Sequence, residues 1–488
     1  MGTGVWSRPT DVVGPPTDVV GPPKAGGGTM GEEAKRFKII TLGCKVNQFE
    51  SACLRGALLH AGWREVLKDG CADVNIVNSC IVTQRASYQT RQAIRKVIRE
   101  SPSATTAVTG CYAQVFPEEL SGIEGVSLVV GNTMKSLVPD ILLDTHTSAP
   151  PLARNPSQAC CPTTKFSSPQ PSWEGELSDS FQGTTLSAEM FSGRTRGFLK
   201  IQDGCDSFCS YCIVPFARGH LRSLHPQAAI SMLRSFADKG YKEVVLTGIH
   251  LGKYGTDLQG GMNLHELLKL IKEEGLPLRI RLSSLEPKEI GSDLIDMVAS
   301  EPWLCRHFHI PLQSGDDLIL RTMNRKYTSR EFAALIHRIK ERVPLAAIGV
   351  DVMAGFPGED DRAFKNTFDL LTELPVSYLH VFPFSPRKGT TASTLSGRVN
   401  EREIKRRADS LRGVGGEKRQ GFFTSCLGKK FQVLAEGRKS KERGIIRGFS
   451  DNYLPVSFPS TQLLRNEFVN VVIKKVEKNE VMGAVIPG

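Results

Sequence analysis

At 488 residues the chain is longer than one ordinary domain, and its 40% hydrophobic and 23% charged residues are those of a protein with core enough to fold. Its 62 Lys+Arg against 51 Asp+Glu leave a formal net charge of +11, which makes a polyanion such as nucleic acid a natural partner. Twelve cysteines are too sparse for a disulfide scaffold; no apolar run of about 18 residues offers a membrane span; and the first thirty residues lack a signal-peptide core, so a cytoplasmic protein with thiols free for metal is expected.

Residues 1–34 carry the tandem repeat Thr10-Asp-Val-Val-Gly-Pro-Pro16 and Thr17-Asp-Val-Val-Gly-Pro-Pro23. Such a stretch cannot bury enough apolar surface to offset its ordering entropy, and it reads as a disordered leader. From Phe37 the pattern changes to short apolar runs that each end in cysteine: Phe37–Cys44, Asp73–Cys80 and Thr106–Cys111. The intervening stretches Asn47–Trp63 and Gln84–Glu100 have helical periodicity. Alternating strand and helix predicts a doubly wound parallel sheet over residues 35–145. The ligand crevice of such a sheet lies at the carboxyl ends of its strands, so Cys44, Cys80 and Cys111 are expected to meet there as a three-thiol site. Cys53, Cys71, Cys305 and Cys426 have no such company and read as small buried hydrophobes.

Residues 146–192 are rich in Ser, Thr, Pro and Gln and read as a linker or insertion, which carries the vicinal pair Cys160 and Cys161. Residues 193–423 return to strands followed by helices: Gly197–Gln202, Glu243–Thr247, Arg279–Ser283, His307–Pro311, Ile348–Met353 and Tyr378–Phe382. Six such units predict an open (β/α)6 barrel, whose active site belongs at the carboxyl ends of its strands. The loop after the first strand holds Cys205, Cys209 and Cys212 in C-x3-C-x2-C spacing. Three thiolates this close can bind three irons of a cubane cluster and leave the fourth open. The competing reading is a zinc knot, which wants a second hook of ligands that the neighbouring sequence does not offer. The later strand ends contribute Gly248, Ser283, Glu286 and Gln313, groups suited to close backbone approach or to hydrogen bonds with a ribose or an amino acid. Arg218, in Pro215-Phe-Ala-Arg-Gly219, can meet a carboxylate, a phosphate or a neighbouring acid. His250, His309 and His380 also lie near strand ends, where satisfied structural histidines are expected.

Glu401–Arg419 reads as a basic helix, and residues 424–488 hold about five short strands, Lys430–Ala435, Gly444–Arg447, Leu454–Ser457, Asn466–Lys475 and Val481–Ile486. A small β-barrel of OB-like size carrying eleven Lys/Arg against six Asp/Glu suits contact with RNA phosphates.

Taken together, Thr41-Leu-Gly-Cys-Lys-Val-Asn-Gln48, Asn78-Ser-Cys80, Thr109-Gly-Cys111, the Cys205 motif and Pro215-Phe-Ala-Arg-Gly219 resemble the radical S-adenosylmethionine (SAM) methylthiotransferase family. The resemblance spans about residues 35–488 and implies a C-terminal TRAM domain and two 4Fe-4S clusters. Cys205, Cys209 and Cys212 would hold the SAM-cleaving cluster, with Gly248, Ser283, Glu286, Gln313 and Arg218 as cofactor-binding candidates. Cys44, Cys80 and Cys111 would hold the auxiliary cluster that carries the sulfur to be transferred. One SAM would methylate that sulfur; a second would yield the radical that removes hydrogen from an unreactive carbon, chemistry that no side-chain acid or base can perform. The wording Leu42-Gly-Cys-Lys-Val-Asn-Gln48 is similar to the branch that modifies N6-threonylcarbamoyladenosine beside the anticodon of ANN-decoding tRNA, with flavodoxin or ferredoxin as the expected electron donor. The isopentenyl-adenosine branch typically reads Tyr-Gly-Cys-Gln-Met-Asn, and the branch acting on a ribosomal-protein aspartate has a Pro-Lys-Asn wording. These two substrates, and a non-catalytic RNA-binding iron–sulfur or zinc protein, are the alternatives.

Overall fold

The computed structural model describes residues 34–66, 70–144, 195–438, 444–462, 464–478 and 480–486. The expected leader, except its last residue, and the whole insertion with Cys160 and Cys161 lie outside the described residues. The N-terminal sheet runs in the spatial order Arg64–Glu65, Arg36–Thr41, Val74–Ser79, Thr105–Gly110, Leu128–Val130, and every pairing is parallel. Val74–Ser79 is buried along its whole length, as a central strand covered on both faces must be. Of its polar members, Asn78 is satisfied locally, its amide donating to the Asn47 carbonyl and to Ser51 Oγ, both at 3.0 Å, whereas the buried Asn75 amide has no partner among the described residues. The two outer strands, of two and three residues, were not anticipated, being too short to carry a periodic signal. This strand order reverses direction between Arg36–Thr41 and Val74–Ser79, and a doubly wound sheet opens its ligand crevice at such a reversal. Cys44 and Cys80 follow these two strands.

The second layer system has the six expected parallel strands, Arg196–Lys200, Glu243–Thr247, Arg279–Leu282, His307–Gln313, Ala347–Ala354 and Tyr378–Pro383. They form two three-stranded halves joined by isolated parallel bridges, Ile280 with Leu304 and Ser284 with His309. The barrel is open, and both edges are covered, which removes the hazard of unpaired strand edges. Helix Lys45–His60 packs on the strand Arg196–Lys200, and its Phe49 and Ala52 enter the same core as Leu199, Leu246, Ile310 and Val350. Helix Glu401–Ser425 covers the other edge, where Gly415 allows close approach of Leu379. Side-chain caps fix the helix starts: Thr83 accepts from the Ala86 amide, and Thr328 with Glu331 and Asn263 with Glu266 form reciprocal capping boxes.

The last segment closes as a five-stranded barrel, Lys430–Arg438, Ile445–Ser450, Pro455–Pro459, Glu480–Val485 and Phe468–Glu477, around Phe431, Ile446, Val456, Phe458 and Val471. Arg279 and Arg281 dock it to the larger barrel by donating to the carbonyls of Gln432, Phe449, Ser450 and Asp451 at 2.9–3.1 Å. Both guanidinium groups are held by the fully buried carboxylate of Glu243. Among the described residues no helix is long and apolar enough to cross a membrane.

Candidate active site

Backbone geometry shapes the loop that presents Cys205, Cys209 and Cys212. Gly204 sits at φ +74, and a Cβ there would lie 1.7 Å from the His220 carbonyl oxygen, so only glycine lets the two backbones meet. The loop is then pinned from outside: the Cys205 amide donates to the Gly219 carbonyl at 3.0 Å, the Ser210 amide to Met323 at 3.1 Å, and the Asn324 amide group to the carbonyls of Ser207 and Phe208. His250 Nδ1 lies 3.4 Å from Cys205 Sγ, and its Nε2 lies 2.5 Å from Glu289 Oε1. Burial opposes charge on this imidazole, but hydrogen bonds to the thiol and to the carboxylate raise it to about 10. Burial likewise works against the Cys205 thiolate, yet His250 brings that thiol below its ordinary value. Arg325 lies 3.4 Å from Cys209 Sγ and pairs with Glu286. Burial pushes Cys212 up to about 12, more than the Val214 amide and the Arg325 charge pull it down.

The second triad stands where the strand-end rule places it. Gly43 and Gly110, at φ +93 and +102, precede Cys44 and Cys111. A Cβ on Gly43 would lie 2.7 Å from Cys80 Sγ, and one on Gly110 would lie 2.5 Å from the Ser79 carbonyl oxygen, so the two glycines bring the three chain segments together. Cys44, Cys80 and Cys111 are within electrostatic reach of one another. Burial holds the Cys80 thiol at about 11, so ion binding there must release its proton. Arg218, expected among the cofactor contacts, is buried beside this triad: its Nε donates to Cys111 Sγ at 3.3 Å and its Nη2 to Asn47 Oδ1 at 2.6 Å.

Around Arg218 lies an ion network that the sequence reading missed. Glu50 accepts from Lys135 at 2.5 Å, Lys200 at 3.2 Å and Arg218 at 2.5 Å, while Asp203 takes Lys200 at 2.9 Å. All five side chains are buried, and a fourth cation, Arg222, reaches Asp203 at 3.7 Å, so positive charge exceeds the two carboxylates next to Cys111. A faint signal was present: Asn47, Glu50 and Ser51 continue the Leu54–Leu58 stripe of helix Lys45–His60, a polar break in a buried face. Arg325 and Glu289 carried no motif of their own.

Of the other expected residues, Glu286 joins Cys209 through Arg325. Gly248 is packed where a Cβ would lie 2.8 Å from Gln202 Oε1, the atom that receives the His250 amide. Ser283 Oγ is buried with no hydrogen-bond partner among the described residues. Gln313 ends its strand at φ +67. His309 and His380 both meet Asp351 Oδ1, at 2.7 and 3.2 Å. That trio is the one group among the described residues whose ligand atoms all lie within 4.8 Å of one another. A single zinc with bonds of about 2.3 Å to sulfur needs such closeness; neither thiol triad has it. Wider thiol spacing, three cysteines apiece, and a surplus buried cation beside one triad suit anionic thiolate-bound clusters, in which the ligands meet different irons.

Comparison with known proteins places the chain in a family. Residues 36–131 match the model of Uncharacterized protein family UPF0004, and residues 199–371 match the Radical SAM superfamily. The chain is 38% identical over 395 residues to a threonylcarbamoyladenosine tRNA methylthiotransferase MtaB of Aquifex aeolicus, covering 81% of this chain and 91% of that one. It is 34% identical to the Bacillus subtilis protein of the same name, covering 89% and 93%. A tRNA-2-methylthio-N(6)-dimethylallyladenosine synthase of Staphylococcus aureus (strain Newman) is 28% identical, covering 94% and 86%. The fold is shared with the radical S-adenosylmethionine methyltransferase TsrM of Kitasatospora setae, at TM-score 0.54, 16% identity and 74% coverage of each chain. Radical SAM enzymes use a 4Fe-4S cluster and SAM, and methylthiotransferases of this kind carry two clusters. The chain belongs to the radical SAM methylthiotransferase family, with the members that methylthiolate tRNA.

Proposed function

We propose that this enzyme converts N6-threonylcarbamoyladenosine beside the tRNA anticodon to its 2-methylthio derivative, with Cys205, Cys209 and Cys212 holding the SAM-binding cluster and Cys44, Cys80 and Cys111 the auxiliary one. The observation that carries the reading is the short helix Val214–Arg218: it follows the first triad directly and delivers Arg218 to Cys111 of the second, so one segment sets both sites relative to each other. The substrate choice rests on the threonylcarbamoyladenosine enzymes standing at 31–38% identity, above the 28% of the dimethylallyladenosine enzymes.

When bound, the clusters and SAM supply a hydrogen-abstracting radical and a methylated sulfur, which an aromatic C–H bond demands. The chain's own groups then do five things. His250, charged between Cys205 and Glu289, holds the Cys205 thiolate in place. Arg325 does the same for Cys209 and sets the Glu286 carboxylate near it, a group suited to an amino function of SAM. Ser283 offers an unsatisfied hydroxyl at the strand end. Arg218 and its network lower the cost of placing negative charge at Cys111. The basic C-terminal barrel gives a phosphate-binding surface for tRNA.

The test is anaerobic reconstitution with iron and sulfide, incubation with SAM, reductant and tRNA, and mass spectrometry of the digested nucleosides. Methylthio-threonylcarbamoyladenosine is expected from the intact protein and from neither Cys205→Ala nor Cys44→Ala. Cleavage of SAM with methylthio appearing on isopentenyl-adenosine instead would refute the substrate assignment.

A further inference from the structure

Tyr378–Pro383 is the last strand of the open barrel, and its side chains alternate between the two faces of the sheet. Leu379 and Val381 join the core beneath the helices. Tyr378 and His380 turn the other way, to the barrel interior, where the Tyr378 hydroxyl meets His307 Nε2 at 2.8 Å and His380 Nδ1 meets Asp351 Oδ1 at 3.2 Å. Phe382 is next on that face, at the carboxyl end of the strand, and it is 41% exposed. Among the described residues no second ring or cation is stacked on it. Exposure alone says little of a phenyl group; its place says more. The chain that follows Phe382 is bonded to both thiol sites. Ser385 Oγ accepts from the Gln84 amide at 3.0 Å, and Arg387 donates to the carbonyl of Ile81, the neighbour of Cys80, at 2.8 Å. The Ala392 amide then donates at 2.7 Å to the carbonyl of Ser210, between Cys209 and Cys212. Phe382 also pairs in register with Met353, which packs in one group with Tyr211 of that same cysteine loop. An open aromatic face thus stands at the mouth of the barrel, where one short segment joins the loops of both triads.

We propose that Phe382 is the platform on which the adenine ring of the substrate stacks; this rests on the reading of the two triads and of a tRNA adenine given above. A base that loses hydrogen at one thiol site and receives sulfur at the other has to lie where the two meet. To reach that place the base leaves the stack of its own loop, and a flat apolar face in the site replaces the stacking it gives up. Contact through the ring face leaves the ring edge free, with C2 open to reaction and the N6 substituent open to other groups.

The experiment uses the reconstituted full-length protein and two anticodon stem-loops, identical except that one carries threonylcarbamoyladenosine and the other an abasic residue at the target position. Dissociation constants are measured without SAM, and kcat/KM for methylthiolation of the intact loop with it. Base–aromatic stacking of about 1–3 kcal/mol predicts that Phe382→Ala binds the intact loop about 5- to 150-fold more weakly, with kcat/KM falling alongside. Binding of the abasic loop and the visible spectrum of the clusters are unchanged in that variant, which sets stacking apart from a folding defect. Phe382→Tyr keeps the preference for the intact loop, whereas Phe382→Leu, apolar but without a flat face, loses most of it. Equal losses for both loops in Phe382→Ala, or an intact-loop affinity within about twofold of wild type, overturn the inference. So does a wild-type affinity that is the same with and without the base, a comparison that needs no variant. Each of these results leaves the proposed function standing if the wild-type protein forms the methylthio product. Failure of the wild type to form any methylthio product, with the ring-dependent preference intact, overturns the function and not the platform.

Discussion

Glu50→Gln is the sharpest probe of how the two thiol sites are coupled. Glu50 lies on the N-terminal helix, yet two of its three cations, Lys200 and Arg218, come from the barrel. Replacing the carboxylate with an amide of the same shape leaves Lys200 and Arg218 with Asp203 as their acid and leaves Lys135 with the neutral Asn78 amide oxygen. Breaking a buried pair by removing one partner costs about 3–5 kcal/mol, and the retained amide oxygen still accepts one hydrogen bond, so about 3 kcal/mol is expected. A chain of this size does not unfold in one step, so the loss is best read by hydrogen exchange in the strand Val74–Ser79 and the helix Lys45–His60 during a urea series. Removing one cation should restore part of the balance. The double variant Glu50→Gln, Lys135→Met is therefore expected to recover about half of the loss, a coupling that non-interacting sites do not show. A single-variant cost below about 1 kcal/mol, or strict additivity in the double, would refute the argument that this network is a tightly balanced buried charge set.

Two further outcomes follow from local geometry. Gly204→Ala puts a Cβ 1.7 Å from the His220 carbonyl at a backbone angle that alanine resists; reconstitution is expected to lose the iron held by the Cys205 loop while the iron at the other triad remains, as read by iron content and electron paramagnetic resonance. Glu243 is held at about 2, below its ordinary 4.5, because although burial opposes its charge, Arg281 and Arg279 more than compensate. A carboxylate depressed on folding contributes stability that is fully present above 4.5 and is lost as pH falls toward about 2. Hydrogen-exchange protection of the docked strand Ile445–Ser450, taken relative to the intrinsic rate at each pH, should fall across that window, and in Glu243→Gln it should be low already at neutral pH; protection independent of both changes would show that the arginine bridges do not hold the small barrel in place.

What the sequence made legible and what it did not divide along a physical line. The two cysteine triads proposed as cluster ligands stand out in the sequence because each follows a strand, and strand ends in parallel sheets are where ligands bind, so a local pattern was enough to single them out. The groups that set the charge at those thiols could not. Arg218 reaches Cys111 across 107 positions, and Lys200 reaches Glu50 across 150. Pairings at such distances arise only when two separately patterned folds are brought together, and no periodicity within either one encodes them. Arg218 shows the consequence. Read within its own barrel, it belonged with the neighbouring Cys205 triad; docked, it serves the triad of the other fold. The helix Lys45–His60 thus supplies a carboxylate, Glu50, that the barrel's Lys200 and Arg218 share with their own Asp203. Each half is electrostatically incomplete by itself: Glu50 of the helix Lys45–His60 finds two of its three cations on the barrel, and one of them, Arg218, lies against Cys111.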